Sequence, residues 1–149
     1  MSETRPQFIG EYEDAPIDPK GRLIVPAAFR KALPQGITSL IVAEWFEGCL
    51  AAFDPEGWTQ LIQELRGLDR SQRQTRQLVR RLAGRAAEVK IDRQGRILIP
   101  KKLLDLGEIS DRATLSGVID KIEIWNPDRY NQAQNSADLE SVAEELDWL

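Results

Sequence analysis

The chain has 149 residues, of which 42% are hydrophobic and 30% charged, and a formal net charge of −4; this is the balance of a globular protein, not of a fibre or a disordered tract. It contains no histidine and one cysteine, Cys49, which excludes an internal disulfide, a metal site built from several thiolates, and every Ser-His or Cys-His nucleophile pair. No apolar run approaches the roughly 18 residues that a bilayer span requires, and Met1 to Pro6 is polar with no apolar stretch behind it, so a cytosolic protein with no membrane partner is expected.

In chain order, the first strong signal is Ile17-Asp18-Pro19-Lys20-Gly21-Arg22-Leu23-Ile24-Val25-Pro26. Asp at i, Pro at i+1 and Gly at i+3 are the preferences of a type I turn, with Gly21 left-handed in a short hairpin bulge. The aliphatic run Leu23-Ile24-Val25 predicts a strand, and Pro26 suits the start of a short helix over 26–33 that Pro34 stops. Two short strands follow, over 39–43 and 48–53, and Asp54-Pro55 reads as an N-cap with Pro at N1. Trp58, Leu61, Ile62 and Leu65 have the i, i+3, i+4, i+7 spacing of one helix, and a second is expected over 72–86 with Leu78, Val79 and Leu82 facing inward.

The same series then begins again. Ile91-Asp92-Arg93-Gln94-Gly95-Arg96-Ile97-Leu98-Ile99-Pro100 repeats the first motif 74 positions later, and Trp125-Asn126-Pro127 with Tyr130 repeats Phe53-Asp54-Pro55 with Trp58 at an offset of 72. A helix is predicted over 100–106 with Gly107 at its C′ position, followed by strands over 113–116 and 121–125. The chain is a tandem duplication: a mostly β fold with short helices, in which β-rich repeats at 14–57 and 86–129 are joined by a helical hairpin at 58–85. An acidic tail at 134–149 has helical spacing in Leu139, Val142, Ala143 and Leu146.

Charge is segregated along this plan. The tail carries five acids and no base, so the rest of the chain holds 20 bases against 19 acids. Between Arg66 and Arg96 there are ten bases, nine of them arginine, against three acids. Local potential, not total charge, decides polyanion binding.

Two copies of Asp-x-x-Gly-Arg followed by three aliphatics and Pro resemble the paired half-motifs of the MraZ family, with support from Phe8 and Gly10, from Arg80-Arg81-Leu82 with Gly84, Ala87 and Glu88, and from Gly117, Lys121 and Glu123-Ile124-Trp125. The resemblance covers about Phe8 to Ala133. It implies tandem swapped-hairpin β-barrel repeats of the AbrB-like type forming one pseudo-symmetric unit, in a cytoplasmic, nucleoid-associated, ring-shaped homo-oligomer. The implied partner is double-stranded DNA, bound as short repeats at the promoter of the division and cell-wall gene cluster, mostly in repression. No cofactor, metal or small-molecule substrate is implied. Its DNA contacts map onto Asp18, Lys20, Gly21 and Arg22. The chain departs from the family at Gln94, which stands where the first copy has Lys20, and at Leu104, which stands where it has Arg30. The stretch from Phe8 to Asp18 is also one residue longer and unusually acidic.

The expected DNA-binding residues are Lys20, Arg22, Arg93 and Arg96, because guanidinium bonds bidentately to phosphate or guanine and ammonium serves as a point charge. Asp18, Gly21, Asp92 and Gly95 are expected to support the turns. Counting by copy, Arg96 is expected to contribute less than Arg22. The tail is expected to shield the assembly from non-specific DNA. An antitoxin of the same superfamily, wrapping a toxin with its acidic tail, is the second reading, although such antitoxins carry one motif per chain. An enzyme using Asp18 and Asp92 as paired carboxylates is disfavoured by the adjacent arginines, which would keep both ionised. Cys49 reads as a small core residue, and Trp45, Trp58 and Trp125 as packing anchors.

Overall fold

The computed structural model describes residues 5–148. Eight strands and six α-helices follow one another as β1 (Phe8–Pro16), β2 (Arg22–Ile24), α1 (Ala27–Ala32), β3 (Ser39–Glu44), β4 (Leu50–Phe53), α2 (Pro55–Arg66), α3 (Arg73–Gly84), β5 (Ala87–Lys90), β6 (Arg96–Leu98), α4 (Lys101–Leu106), β7 (Arg112–Ile119), β8 (Ile122–Trp125), α5 (Pro127–Gln134) and α6 (Leu139–Glu145). The fold is mostly sheet with short helices, as the sequence predicts. The barrel, however, is not closed: the ladders form a six-stranded sheet in the order β1-β7-β8-β4-β3-β5 and a separate ribbon of β2 with β6. β1 and β5 each have one free edge because the three-residue ribbon is too short to pair with both; a single bridge, Ile17 to Leu23, links it to the end of β1.

The copies are interleaved. β1 pairs with β7, β2 with β6, β3 with β5 and β4 with β8, each ladder antiparallel and each joining one copy to the other. Among the described residues, only β3–β4 and β7–β8 lie within a copy. Leu23 opposes Ile97 and Ala51 opposes Glu123. These are the same positions of the duplicated sequence, so a local two-fold axis runs through both pairs.

One core serves both halves. Phe8, Leu23, Val25, Phe29, Leu40 and Leu50 from the first copy pack with Ile97, Ile99, Leu103, Leu115 and Ile124 from the second. Alternation dictates which residues enter it: Leu23 and Ile97 point inward from the ribbon, while Arg22, Ile24, Arg96 and Leu98 point out. The helical hairpin covers the far face of the sheet, where Trp58 and Leu61 pack on Ala43, Ala51 and Phe53.

Two strands, β1 and β5, exceed the sequence reading. β1, for which the sequence offers only Phe8 and Gly10, is largely exposed and held by its ladder to β7. Its register advances three residues, from Tyr12 to Ala15, while β7 moves two, from Leu115 to Ala113, so the extra residue of this stretch is absorbed as a β-bulge. Asp14 takes a positive φ of 55° there, a conformation Asp tolerates better than most residues. The duplicated N-cap signal is met in both copies, with Asp54 and Asn126 each at the N-cap of a helix headed by Pro, but of the two Asn126 alone caps with its side chain. Asn126 Oδ1 accepts from the backbone N–H groups of Asp128 and Arg129 at 2.8 and 3.1 Å. Asp54 caps nothing with its side chain; it is fully buried and pairs bidentately with Arg5 at 2.9 and 3.1 Å.

Candidate nucleic-acid interface

The two motifs fold into turns with the same hydrogen-bond pattern at opposite ends of the β2–β6 ribbon. In the first, Asp18 Oδ1 accepts from the backbone N–H groups of Lys20 and Arg22 at 3.0 and 2.9 Å, and Oδ2 accepts from Arg22 Nε at 2.6 Å. The second repeats this: Asp92 Oδ1 accepts from Gln94 and Arg96 N–H, both at 2.9 Å, and Oδ2 from Arg96 Nε at 2.9 Å. Gly21 and Gly95 close the turns by donating to the carbonyls of Asp18 and Asp92 at 2.9 Å. Each glycine has a positive φ, +93° and +81°, which a Cβ would disfavour. The ribbon ties the turns together, since Val25 N–H donates to Gly95 O at 2.8 Å and Ile99 N–H to Gly21 O at 2.9 Å.

This arrangement fixes an arginine without consuming it. The aspartate takes Nε, and among the described residues neither terminal NH₂ group of Arg22 or Arg96 has a hydrogen-bond partner. The Asp18 carboxyl lies below its ordinary value because of the Arg22 backbone N–H foremost, which with the Arg22 side chain and the Lys20 N–H outweighs the opposing desolvation. Asp92 is lowered in the same way by Arg96. Both carboxylates therefore stay ionised, which suits holding a guanidinium and not exchanging a proton. Lys20 and Arg93 are exposed at the tips. All eight motif residues named from the sequence are thus gathered along one ribbon.

The surroundings of the two tips depart from the copy-by-copy expectation. Because the strands cross over, each short helix packs on the turn of the other copy. Arg30, on α1, lies against Gly95 and donates from Nε to Val25 O at 2.9 Å. Leu104, at the matching position of α4, lies against Gly21. The hollow beside the first tip, about 610 Å³, is lined by Lys20 and Lys101 but also by Asp105 and Asp111. At the second tip the duplication places Lys31 where the first has Asp105. The second tip is therefore the more cationic, with Arg30 of the first copy beside the turn of the second.

Much of the arginine-rich segment is engaged elsewhere. Arg81 and Arg85 of α3 bond Glu44 at 2.5 and 2.9 Å, and the Arg81 side chain foremost holds Glu44 below its ordinary value. Arg76 donates to the backbone carbonyls of Arg70 and Ser71. Among the described residues Arg66, Arg70, Arg73 and Arg80 form no ion pair. Cys49 is buried, and burial foremost pushes its thiol up to about 12, so it is a core residue and no nucleophile. Trp125 is likewise buried. Among the described residues no cluster of His, Cys, Asp or Glu could hold a metal ion, and no helix is long and apolar enough to cross a membrane.

The chain matches, at residues 8–81 and again at 82–147, the family model described as "MraZ protein, putative antitoxin-like". It is 40% identical over 131 residues to "Transcriptional regulator MraZ" of Roseiflexus castenholzii, covering 88% of the chain and 89% of that protein. The protein of the same name from Lactiplantibacillus plantarum is 35% identical over 141 residues, 93% of the chain and 97% of that protein. The one from Desulforamulus reducens is 37% identical over 142 residues, 93% and 96% respectively.

Proposed function

The chain belongs to the MraZ family, and on that premise we propose that it is a DNA-binding transcriptional regulator, no enzyme, that grips DNA through the tips Lys20–Arg22 and Arg93–Arg96 and the neighbouring Arg30. The observation that carries this reading is the repeated aspartate clamp, which points an arginine outward at both ends of one ribbon while leaving its terminal nitrogens free. Such donors match phosphate oxygens and the O6 and N7 edge of guanine.

Magnitude argues for assembly. Two to four phosphate contacts per protomer would give a salt slope of only about −2 to −4, and repetition along one DNA segment raises affinity by roughly 10²- to 10⁴-fold without new contacts. A ring-shaped homo-oligomer in the cytoplasm and nucleoid, reading short repeats at the promoter of the division and cell-wall gene cluster and acting as a repressor, fits an acidic chain that offers only a few bases at each tip. The test is a DNase footprint and gel shift on DNA upstream of the chain's own gene: spaced protection that weakens with salt is expected, and no binding at low ionic strength would overturn the reading.

A second reading, an antitoxin-like regulator that also neutralises a toxin, is favoured by the acidic α6, whose Leu139 is exposed, as are Leu146 and Trp148 just beyond it. Co-expression with the products of adjacent genes separates the two, since only the antitoxin rescues cells from a neighbouring toxin.

A further inference from the structure

We propose that Ile24 and Leu98 determine sequence specificity by contacting thymine methyl groups beside the bases that Arg96 and Arg22 engage. This inference rests on the DNA-binding reading above. The ribbon separates its residues sharply: Leu23 and Ile97 are 1% exposed and face the core, whereas Ile24 and Leu98 are each 54% exposed on the outer face. A single exposed aliphatic needs no explanation. Here, however, the two occupy the same position of the duplicated motif, 74 residues apart. Each also stands directly across the ribbon from a clamped arginine, Ile24 from Arg96 and Leu98 from Arg22. The outer face of a strand pair in water ordinarily takes polar residues, so an aliphatic there in both copies calls for a partner that meets arginine and aliphatic together.

The major groove of DNA is such a partner. It admits a two-stranded ribbon, it presents guanine O6 and N7 to arginine, and it alone exposes the C5 methyl of thymine. The two arginine–aliphatic rows are two residues apart, roughly 6.6 Å along the strand, close to two base steps of about 3.4 Å. The local two-fold axis between Leu23 and Ile97 reverses the order of arginine and aliphatic from one row to the next. Each protomer is thus matched to a short element with guanine next to thymine on one strand and the same pair on the other. Lys20 and Arg93, beyond the ribbon ends, reach the flanking phosphates.

The probe is a duplex cut to the footprint-protected segment, made once with thymine and once with deoxyuridine, which lacks only the C5 methyl. Affinities of the full chain are compared with those of the double variant Ile24→Ala, Leu98→Ala, whose changes lie on the exposed face and leave the core intact. Each methyl contact is worth about fourfold. With two such contacts the wild type is therefore expected to bind the uracil duplex roughly 15-fold more weakly, and the variant to bind both duplexes equally. Equal wild-type affinity for the two duplexes, or undiminished discrimination by the variant, overturns the inference while leaving DNA binding in place. A variant that keeps its discrimination but changes size on gel filtration assigns these residues to subunit contact and also overturns it. If the wild type binds neither duplex, the DNA-binding reading itself fails.

Discussion

The guanidinium of Arg30, carried by the helix of the first copy, rests on Gly95 in the turn of the second: a Cβ added to Gly95 would stand 2.8 Å from its Cζ. This cross-copy packing makes the two tips chemically unequal. Arg22→Ala is expected to abolish DNA binding without changing oligomer size, and Arg96→Ala to cost at least as much, not less as the motif comparison alone suggests. Arg30→Leu, which gives the second tip the neighbour that the first already has, should lower affinity and reduce the salt slope by about one. Gel shifts at several salt concentrations, alongside gel filtration, check all three; normal binding by Arg22→Ala would remove that arginine from the interface.

Replacing the turn glycines separates backbone strain from crowding. Gly95→Ala is expected to cost about 1–2 kcal/mol for its left-handed backbone, with the Arg30 side chain swinging aside. Gly21→Ala should cost more, because its Cβ would stand 2.7 Å from the carbonyl oxygen of Ile99, which is backbone and cannot swing away. The reciprocal bond from Ile99 N–H to Gly21 O would be strained as well, adding about 1 kcal/mol. Thermal melts of the two variants should rank accordingly, at roughly 2–4 °C per kcal/mol.

Acid should loosen the tips before neutral pH matters to them. Asp18 and Asp92 are held below the ordinary carboxylate value of about 3.9. Their contribution is thus fully present above that value and is lost as pH falls through the lowered folded-state pKa. Stability attributable to these groups is expected to be flat from about pH 5 to 8 and to decline below about pH 4. The double variant Asp18→Asn, Asp92→Asn should have a shallower acid limb in melts recorded across that range; an unchanged limb would show that other carboxylates carry it.

The acidic tail offers a test of selectivity. Residues 136–149 hold all five tail acids, and among the described ones Leu139, Ser141, Val142 and Glu144 to Trp148 are exposed. Deleting 136–149 is expected to strengthen binding to random-sequence duplex at low salt, with little effect at high salt where such fields are screened. Unchanged binding to random duplex would end the shielding role.

What could be read from the sequence was what is local. Asp18, Gly21 and Arg22 form their turn from contacts within five residues, so the motif alone gave both tips, and the strands and helices next to them followed from Pro26, Pro100 and the aliphatic runs. β1 was missed because Gly10, Glu11, Glu13 and Asp14 erase the apolar alternation; the strand exists through its pairing with β7, about a hundred residues away. Asp54 stands at the N-cap as expected, but the destination of its side chain was hidden for a similar reason, since its partner Arg5 lies 49 positions off and competes with the cap. The place of Arg30 beside the second tip was out of reach as well, because it depends on strand exchange between copies. The arginine run told its charge but not that Glu44 would claim Arg81 and Arg85.

The strand exchange also sets a timetable for synthesis. β1 leaves the ribosome long before its partner β7, which begins only at Arg112; that segment must wait, unpaired, while about a hundred further residues are made. A chain stalled after the first repeat would present bare strand edges to its neighbours. In a protein built this way the second half acts as the template that lets the first half finish folding.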